Sequence, residues 1–206
     1  MLWHTRRVTR VLNWGLAFAL SARWSAISER TTLSISKPVT VTAEGLLLRE
    51  WRAADVPVMV TLFDTAEMDR WTPLAHPFDA EAATAYVQRA HKSRADGVFQ
   101  FAITENGDEP LGEVLIVPTD IPGRCELAYA VGAQYRGKQL AARAVRALLP
   151  FARTRGFSEA RLLIAVDNPP SQRVAMAAGF TRTDLPLVRK ERKTYVLDLA
   201  TWTTPV

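Results

Sequence analysis

A strand that runs into a basic turn and then into a helix does most to limit what this chain can fold into. Between Cys125 and Arg155, Leu127, Tyr129 and Val131 alternate with Glu126, Ala128 and Ala130, the period of two of a β-strand. Further on, Leu140, Ala144, Val145, Leu148 and Leu149 fall on one helical stripe. Ala133–Gln139 lies between them and carries Arg136, Gly137 and Lys138. A turn so placed aims free backbone N–H groups and the positive end of the helix dipole at one point, which suits a phosphate or pyrophosphate. The same geometry also serves as a plain solvated connection, so spacing alone leaves both readings open. Pro150 sits inside the helical stretch, where it removes the bond to the Arg146 carbonyl at a cost of ~3 kcal/mol or more. A kink or an early end near Leu149 is therefore expected.

The rest of the chain alternates strand and helix patterns. Thr42–Arg49 reads as a first strand, and Ala53–Asp64 as a helix with Val56, Met59, Val60 and Phe63 on one side and Asp55 near its positive end. Met68–Pro77, with Trp71, Pro73, His76 and Pro77, reads as a loop. Asp79 suits an N-cap for a helix that ends before Gly97. Phe99, Phe101 and Ile103 alternate as a strand, Asn106-Gly107 marks a hairpin turn, and Leu111–Val117 returns as its partner. Arg161–Val166 is a compact apolar run suited to a buried strand. Ser171–Ala178 reads as a short helix closed by Gly179, with strands at Phe180–Thr183 and Lys193–Leu199. Strands and helices that interleave around a hairpin imply an α/β (α+β) fold, a mixed sheet flanked by helices. No repeat marks a second folded domain.

The chain's formal charge of +5 is unevenly placed. Arg6, Arg7, Arg10, Arg23, Arg30 and Lys37 face only Glu29 in residues 1–37, so the whole excess lies there and residues 38–206 are formally neutral. A neutral domain carries no nucleic-acid footprint in its net charge. The first 37 residues read as a basic, tryptophan-bearing extension: a poorly ordered leader, a surface helix anchored by Trp3, Trp14 and Trp24, or the vague outline of a secretory signal. Its apolar run Trp14–Leu20 falls far short of the ~20 residues of a membrane span. A single cysteine, Cys125, excludes an internal disulfide and fits a reducing compartment such as the cytoplasm. His4, His76 and His91 have no metal-ligand spacing, so no metal is expected.

The run AYAVGAQYRGKQLAARAVRALL resembles the acetyl-coenzyme A motif of the GNAT N-acetyltransferase superfamily, Arg/Gln-x-x-Gly-x-Gly/Ala. Arg136 and Ala141 match its first and last positions, whereas Gln139 stands where the family has its central glycine. A second stretch, Asp167-Asn168-Pro169-Pro170-Ser171 followed by Val174 and Gly179-Phe180, is similar to the superfamily's Asn-x-x-Ser…Gly-Phe element. The two fall in the right order and separation. The resemblance covers about Ala43–Ala200 and is nearest to the Rim-type ribosomal-protein N-acetyltransferases. It implies a GNAT-like fold and acetyl-coenzyme A as co-substrate, met by Val131, Arg136, Gly137, Lys138, Gln139, Leu140, Ala141 and Asn168. Gln139 is expected in the right-handed helical region, because Leu140 and Ala141 already continue the helical pattern.

Acyl transfer from a thioester to an amine needs a base for the amine proton and a proton donor for the departing thiolate. The resemblance makes Ser171 the donor, although serine in a helix's first turn also serves as a cap. Glu126 and Glu113 lie on central strands and are the candidate bases, with Glu126 preferred because its strand leads into the coenzyme turn. Either can equally be a carboxylate in a salt bridge. The cluster Arg189–Lys193 reads as a charged loop, or as a contact for an acidic acceptor. The acceptor is a primary amine, either a protein N-terminus, favoured by the resemblance, or a small molecule, and the protein is a monomer or homodimer. The competing readings are a catalytically silent coenzyme A-binding module, which Gln139 keeps open, and a protein recruited to a membrane surface by its first segment.

Overall fold

A computed structural model of the chain describes residues 37–191 and 196–206. The expectations for the first 36 residues, and for Arg192 and Lys193, lie outside the described residues. Among the described residues nine strands form one sheet, in the order β1-β2-β3-β4-β5-β6-β9-β7 with β8 also on β9. They are β1 (Thr40–Ala43), β2 (Leu46–Glu50), β3 (Phe99–Thr104), β4 (Gly112–Pro118), β5 (Arg124–Val131), β6 (Glu159–Ala165), β7 (Thr181–Arg182), β8 (Val188–Glu191) and β9 (Val196–Pro205). Five α-helices cover it: α1 (Val56–Phe63), α2 (Ala66–Trp71), α3 (Ala80–Ser93), α4 (Leu140–Thr154) and α5 (Pro169–Ala177). Every neighbouring pair is antiparallel except β5 with β6. The mixed sheet flanked by helices is the arrangement expected from the sequence.

Alternation along the strands sends side chains to two different cores. Phe101, Ile103, Val114, Ile116, Cys125 and Leu127 meet Leu140, Ala144, Val145 and Leu148 of α4 on one face. Burial pushes the Cys125 thiol up to about 12, so it is a packed apolar group and not a nucleophile. The other face packs Ala102 and Ala130 against Trp51, Met59, Phe63, Phe78 and Val87 of the α1/α3 layer. Trp51, Phe63, Phe78 and Tyr86 form a chain of edge-to-face contacts at 5.9, 5.9 and 6.1 Å. Each such pair adds ~0.5–1.5 kcal/mol beyond its burial.

Trp51 owes its place to a buried ion pair. Arg49 at the end of β2 grips Asp55 with two bonds of 2.7 and 2.9 Å, and Asp55 also accepts from the Arg52 N–H at 2.8 Å. Asp55 thus ties the chain on both sides of Trp51 instead of merely facing a helix dipole. Loss of one partner would leave a buried charge uncompensated, at a typical cost of ~3–5 kcal/mol.

Several local expectations are corrected. The supposed first strand is a hairpin, since Glu44 and Gly45 both take positive φ (57° and 67°) between β1 and β2. Met68–Trp71 is not loop: Thr65 caps α2 by accepting from the Met68 N–H at 3.2 Å. Arg189–Glu191 belongs to strand β8 on β9, because Val188 packs inward beside Leu197 and Leu199. The helix α4 does not end at Leu149 but runs through Pro150 to Thr154. Pro150 is exposed, so water can serve the freed carbonyl. Phe151 next to it packs edge-on against Phe99 and Phe101 at 5.2 and 5.6 Å, which holds the last turn in place. Among the described residues no helix is long and apolar enough to cross a membrane.

Candidate active site

The parallel pair β5–β6 is joined over only three rungs, Arg124↔Glu159, Cys125↔Ala160 and Glu126↔Arg161. Both strands run on without each other, β5 held by β4 as far as Val131 and β6 by β9 as far as Ala165. From Leu127 onward the β5 edge that faces β6 therefore has backbone donors and acceptors outside the ladder. This opening in the middle of the sheet connects its two faces.

Glu113 stands beside the opening, on β4 opposite Ala130 of β5. It faces the α1/α3 layer and is 5% exposed. Trp51 Nε1 donates to Oε1 at 2.7 Å, and Tyr86 Oη lies 2.8 Å from each carboxylate oxygen. Burial raises the carboxyl to about 7, with the hydrogen bonds from Tyr86 and Trp51 acting the other way. A carboxylate that titrates near neutrality is suited to take a proton from an ammonium group and return it to solvent.

Glu126 shares that face but occupies the last paired rung, where Arg161 Nε and Nη2 reach its Oε2 at 3.0 and 2.9 Å. Opposite charges on directly facing residues support the pairing of the two strands at the point where they part.

Ser171 lies on the other face, at the third position of α5. Asn168 is the cap of this helix, its Oδ1 accepting from the Ser171 N–H at 3.1 Å. Pro169 and Pro170 fill the first turn, where missing N–H groups are harmless. The Ser171 hydroxyl is thus free of capping duty. It sits 2.8 Å from Tyr129 Oη, which also lies 2.9 Å from the Ser171 carbonyl. Tyr129 is on the unpaired part of β5, so this contact spans from β5 to α5 across the opening.

The basic turn follows Val131, which packs on the α4 core. Gly132 N–H is held by the Leu111 carbonyl at 3.0 Å. Arg136, Gly137, Lys138 and Gln139 are all exposed at the start of α4, while Leu140 is buried. Gly137 has φ 83°, and a Cβ there would meet nothing within 4 Å, so the turn is open to a ligand. Gln139 caps α4 with φ 55° and ψ 19°. The expected right-handed conformation is therefore wrong. The turn needs a left-handed residue between Lys138 and the first helical N–H groups, and Gln139 accepts ~1–2 kcal/mol of strain where glycine would not. Its carbonyl still accepts from the Arg143 N–H at 3.0 Å, so the helix begins normally.

Helix α2 links the basic turn to the segment that precedes α5. Glu67 pairs with Arg136 at 2.9 Å and Arg70 with Asp167 at 2.9 Å, both pairs roughly half exposed. The Arg70 guanidinium also stacks over Trp71, 4.5 Å from the ring centre. His76 lies in the loop before α3, 3.7 Å from Asp64.

The site thus brings together Glu113, Glu126, Ser171, Asn168 and Val131 around the opening, with Arg136–Ala141 along the adjoining turn. Trp51, Tyr86 and Tyr129 were not singled out from sequence as site residues. Trp51 and Tyr86 meet Glu113 from 62 and 27 residues away, and no local period encodes such contacts. The inward alternation of Tyr129 with Leu127 and Val131 was the only available signal for that residue.

The fold has counterparts among known proteins. A sequence model described as acetyltransferase (GNAT) domain matches residues 45–181, more than half of the chain. A comparison with curated proteins finds no match. Among solved structures, the chain is similar to Mycobacterium smegmatis RimJ in complex with CoA-disulfide (TM-score 0.70, 17% identity, 82% of this chain and 87% of that one). It is similar to the ribosomal-protein-S5-alanine acetyltransferase from Vibrio fischeri (TM-score 0.65, 17% identity, 81% and 96%). It also resembles the microcin C7 self-immunity acetyltransferase MccE in complex with acetyl-CoA and AMP (TM-score 0.70, 14% identity, 78% and 92%). With a basic turn at the head of α4, a sheet opened between β5 and β6 and the matching domain pattern, the chain belongs to the GNAT acetyltransferase family.

Proposed function

We propose that this acetyltransferase carries the acetyl group of acetyl-coenzyme A to the N-terminal amine of a protein, with Glu113 as base and Ser171 as proton donor. The observation that carries the reading is the placement of these two groups. Glu113 lies on one face of the sheet, opposite Ala130 in the stretch of β5 that has left β6, and Ser171 is tied to Tyr129 of the same stretch on the other face. A protein acceptor is supported by the ribosomal-protein acetyltransferases among the similar structures.

The residues present fit the coenzyme. The unpaired edge of β5 offers N–H and C=O groups to an amide-bearing chain such as pantetheine. Arg136 and Lys138, the open Gly137 and the first N–H groups of α4 suit its pyrophosphate. Acetyl-coenzyme A supplies the activated acyl group as a thioester. Glu113 takes one proton from the attacking amine, directly or through water. The Ser171 hydroxyl gives a proton to the departing sulfur. Glu126 keeps β5 and β6 joined at the root of the opening, which favours Glu113 over the carboxylate preferred from sequence. Asn168 holds the first turn of α5 and so places Ser171. Cytoplasmic residence fits the reduced, buried Cys125. The silent coenzyme-binding module is not favoured, since the acetyltransferase domain match and the acetyltransferases among the similar structures support an enzyme.

Purified protein and acetyl-coenzyme A, offered a panel of peptides with free N-termini beside polyamines and aminoglycosides, decide the acceptor. Thiol release with N-terminal acetylation of peptides, reduced ~10²-fold by Glu113→Gln, is the expected result. Acetylation of small amines alone would overturn the protein acceptor, and full activity of Glu113→Gln would overturn the base.

A further inference from the structure

We propose that Tyr129 is the positioning residue of the proton donor: its phenol fixes the Ser171 hydroxyl at rest and turns onto it as the sulfur departs. The inference rests on the reading of Ser171 as that donor.

Tyr129 Oη lies 2.9 Å from the Ser171 carbonyl and 2.8 Å from Ser171 Oγ. A carbonyl oxygen can only accept, so the single phenolic hydrogen is directed to it in the resting state. The phenolic oxygen then has lone pairs facing Oγ, and the serine hydroxyl donates to them. The serine proton is thereby held toward β5 and the opening. Burial pushes the phenol up to about 12, against the opposing effect of its bond to Ser171, so it remains an O–H donor at any working pH.

Two donors arranged in series can be re-aimed without moving either backbone. As the C–S bond breaks, Ser171 gives its proton to the sulfur, and the Tyr129 O–H rotates from the carbonyl to Oγ, supporting the oxygen that is losing its proton. The amine loses one proton to Glu113 and the sulfur gains one from Ser171, whose hydroxyl solvent restores after product release. Hydrogen bonds in such a chain strengthen one another. Ser171 is thus a better donor with Tyr129 than without it.

Full-length Tyr129→Phe, Ser171→Ala and the double variant are compared by kcat, by KM for acetyl-coenzyme A, and by titration of the thiolate absorbance of bound coenzyme A. Tyr129→Phe should lower kcat by ~10-fold with KM within ~2-fold. Each single variant should raise the pKa of the bound thiol, and the double variant should match Ser171→Ala in both readouts. Replacement of Tyr129 by a ring-fluorinated tyrosine keeps its size and strengthens the O–H donor, so it should lower the bound thiol's pKa even if the phenylalanine variant folds poorly. Wild-type kcat and thiol pKa in Tyr129→Phe, beside an impaired Ser171→Ala, would overturn the proposal and spare the donor. An equal loss from Tyr129→Phe in the Ser171→Ala background would also overturn it, since the tyrosine would then act without the serine. Wild-type behaviour of Ser171→Ala would overturn the donor reading itself.

Discussion

The indole N–H of Trp51 donates to Glu113 Oε1 at 2.7 Å from the end of a strand that is two places away in the sheet. Together with Tyr86 it steadies a carboxyl that burial has raised from 4.5 to about 7. Between those values the folded protein holds a proton that the unfolded chain has released. The stabilisation from this group is therefore fully present below the unfolded value near 4.5 and is lost as pH rises through the folded value near 7. Its upper size is roughly 3 kcal/mol. Glu113→Gln should flatten this dependence, and urea midpoints collected from pH 4.5 to 8 test it.

The same carboxyl must be ionised to act as base, so kcat should rise with pH around a midpoint near 7. Trp51→Phe removes a donor that favours the charged form. It should move that midpoint upward by ~1 unit while leaving the high-pH plateau in place. An unmoved midpoint in the pH–rate profile would show that the limb belongs to another group.

Gly112 and Gly132 bracket the route from β4 to the basic turn, and a Cβ at either would clash with its surroundings. A Cβ at Gly112 would lie 2.3 Å from the Ala130 carbonyl oxygen and 2.9 Å from Val131 Cα, both backbone atoms. At Gly132 it would meet Leu62 Cδ2 at 2.4 Å, a side-chain atom that can shift by repacking α1. Gly112→Ala should therefore be the more damaging, above the ~1–3 kcal/mol of ordinary overpacking, and Gly132→Ala within it. Thermal unfolding of the two variants gives the ranking.

Gln139→Gly should relieve the left-handed strain, offset in part by glycine's greater freedom in the unfolded chain. The net gain is expected at ~0–1 kcal/mol, a rise of a few degrees at most in Tm. Affinity for acetyl-coenzyme A should change by less than ~10-fold in calorimetric titration, because the turn already has the conformation a glycine would take.

Glu67 holds Arg136 where a phosphate would compete for it. Both side chains are nearly half exposed, so the pair adds little to stability. Glu67→Gln should tighten coenzyme A binding ~2- to 5-fold at low salt, with the gain shrinking as salt rises, and leave Tm unchanged. Calorimetry at two ionic strengths measures it.

What sequence could reveal divides along physical lines. The strand–turn–helix of β5 and α4, the hairpin of β3 and β4 and the cap at Asp79 were legible, because local periodicity and capping chemistry determine them. The resemblance pointed to Asn168 and Ser171, but only coordinates separate the cap from the hydroxyl that the cap sets free. The preference between Glu113 and Glu126 turned on what faces each from distant segments: two neutral donors for one, an arginine for the other. Gln139 misled because the helical pattern after it says nothing about the φ of the residue that begins it. Pro150 misled because the penalty counted from local geometry is outweighed by the aromatic packing of Phe151.

The seam between β5 and β6 joins the two sides of the sheet, β1–β5 and β6–β9, over only three rungs that end at Glu126 and Arg161. Whatever fills the gap becomes a tenth strand in all but covalent connection. On the proposed function that filler is the acyl donor, a building material of this protein as well as its reagent. Those backbone amides of residues 127–131 that point away from β4 should exchange with solvent far more slowly once it is bound, and Tm should rise with the donor's concentration.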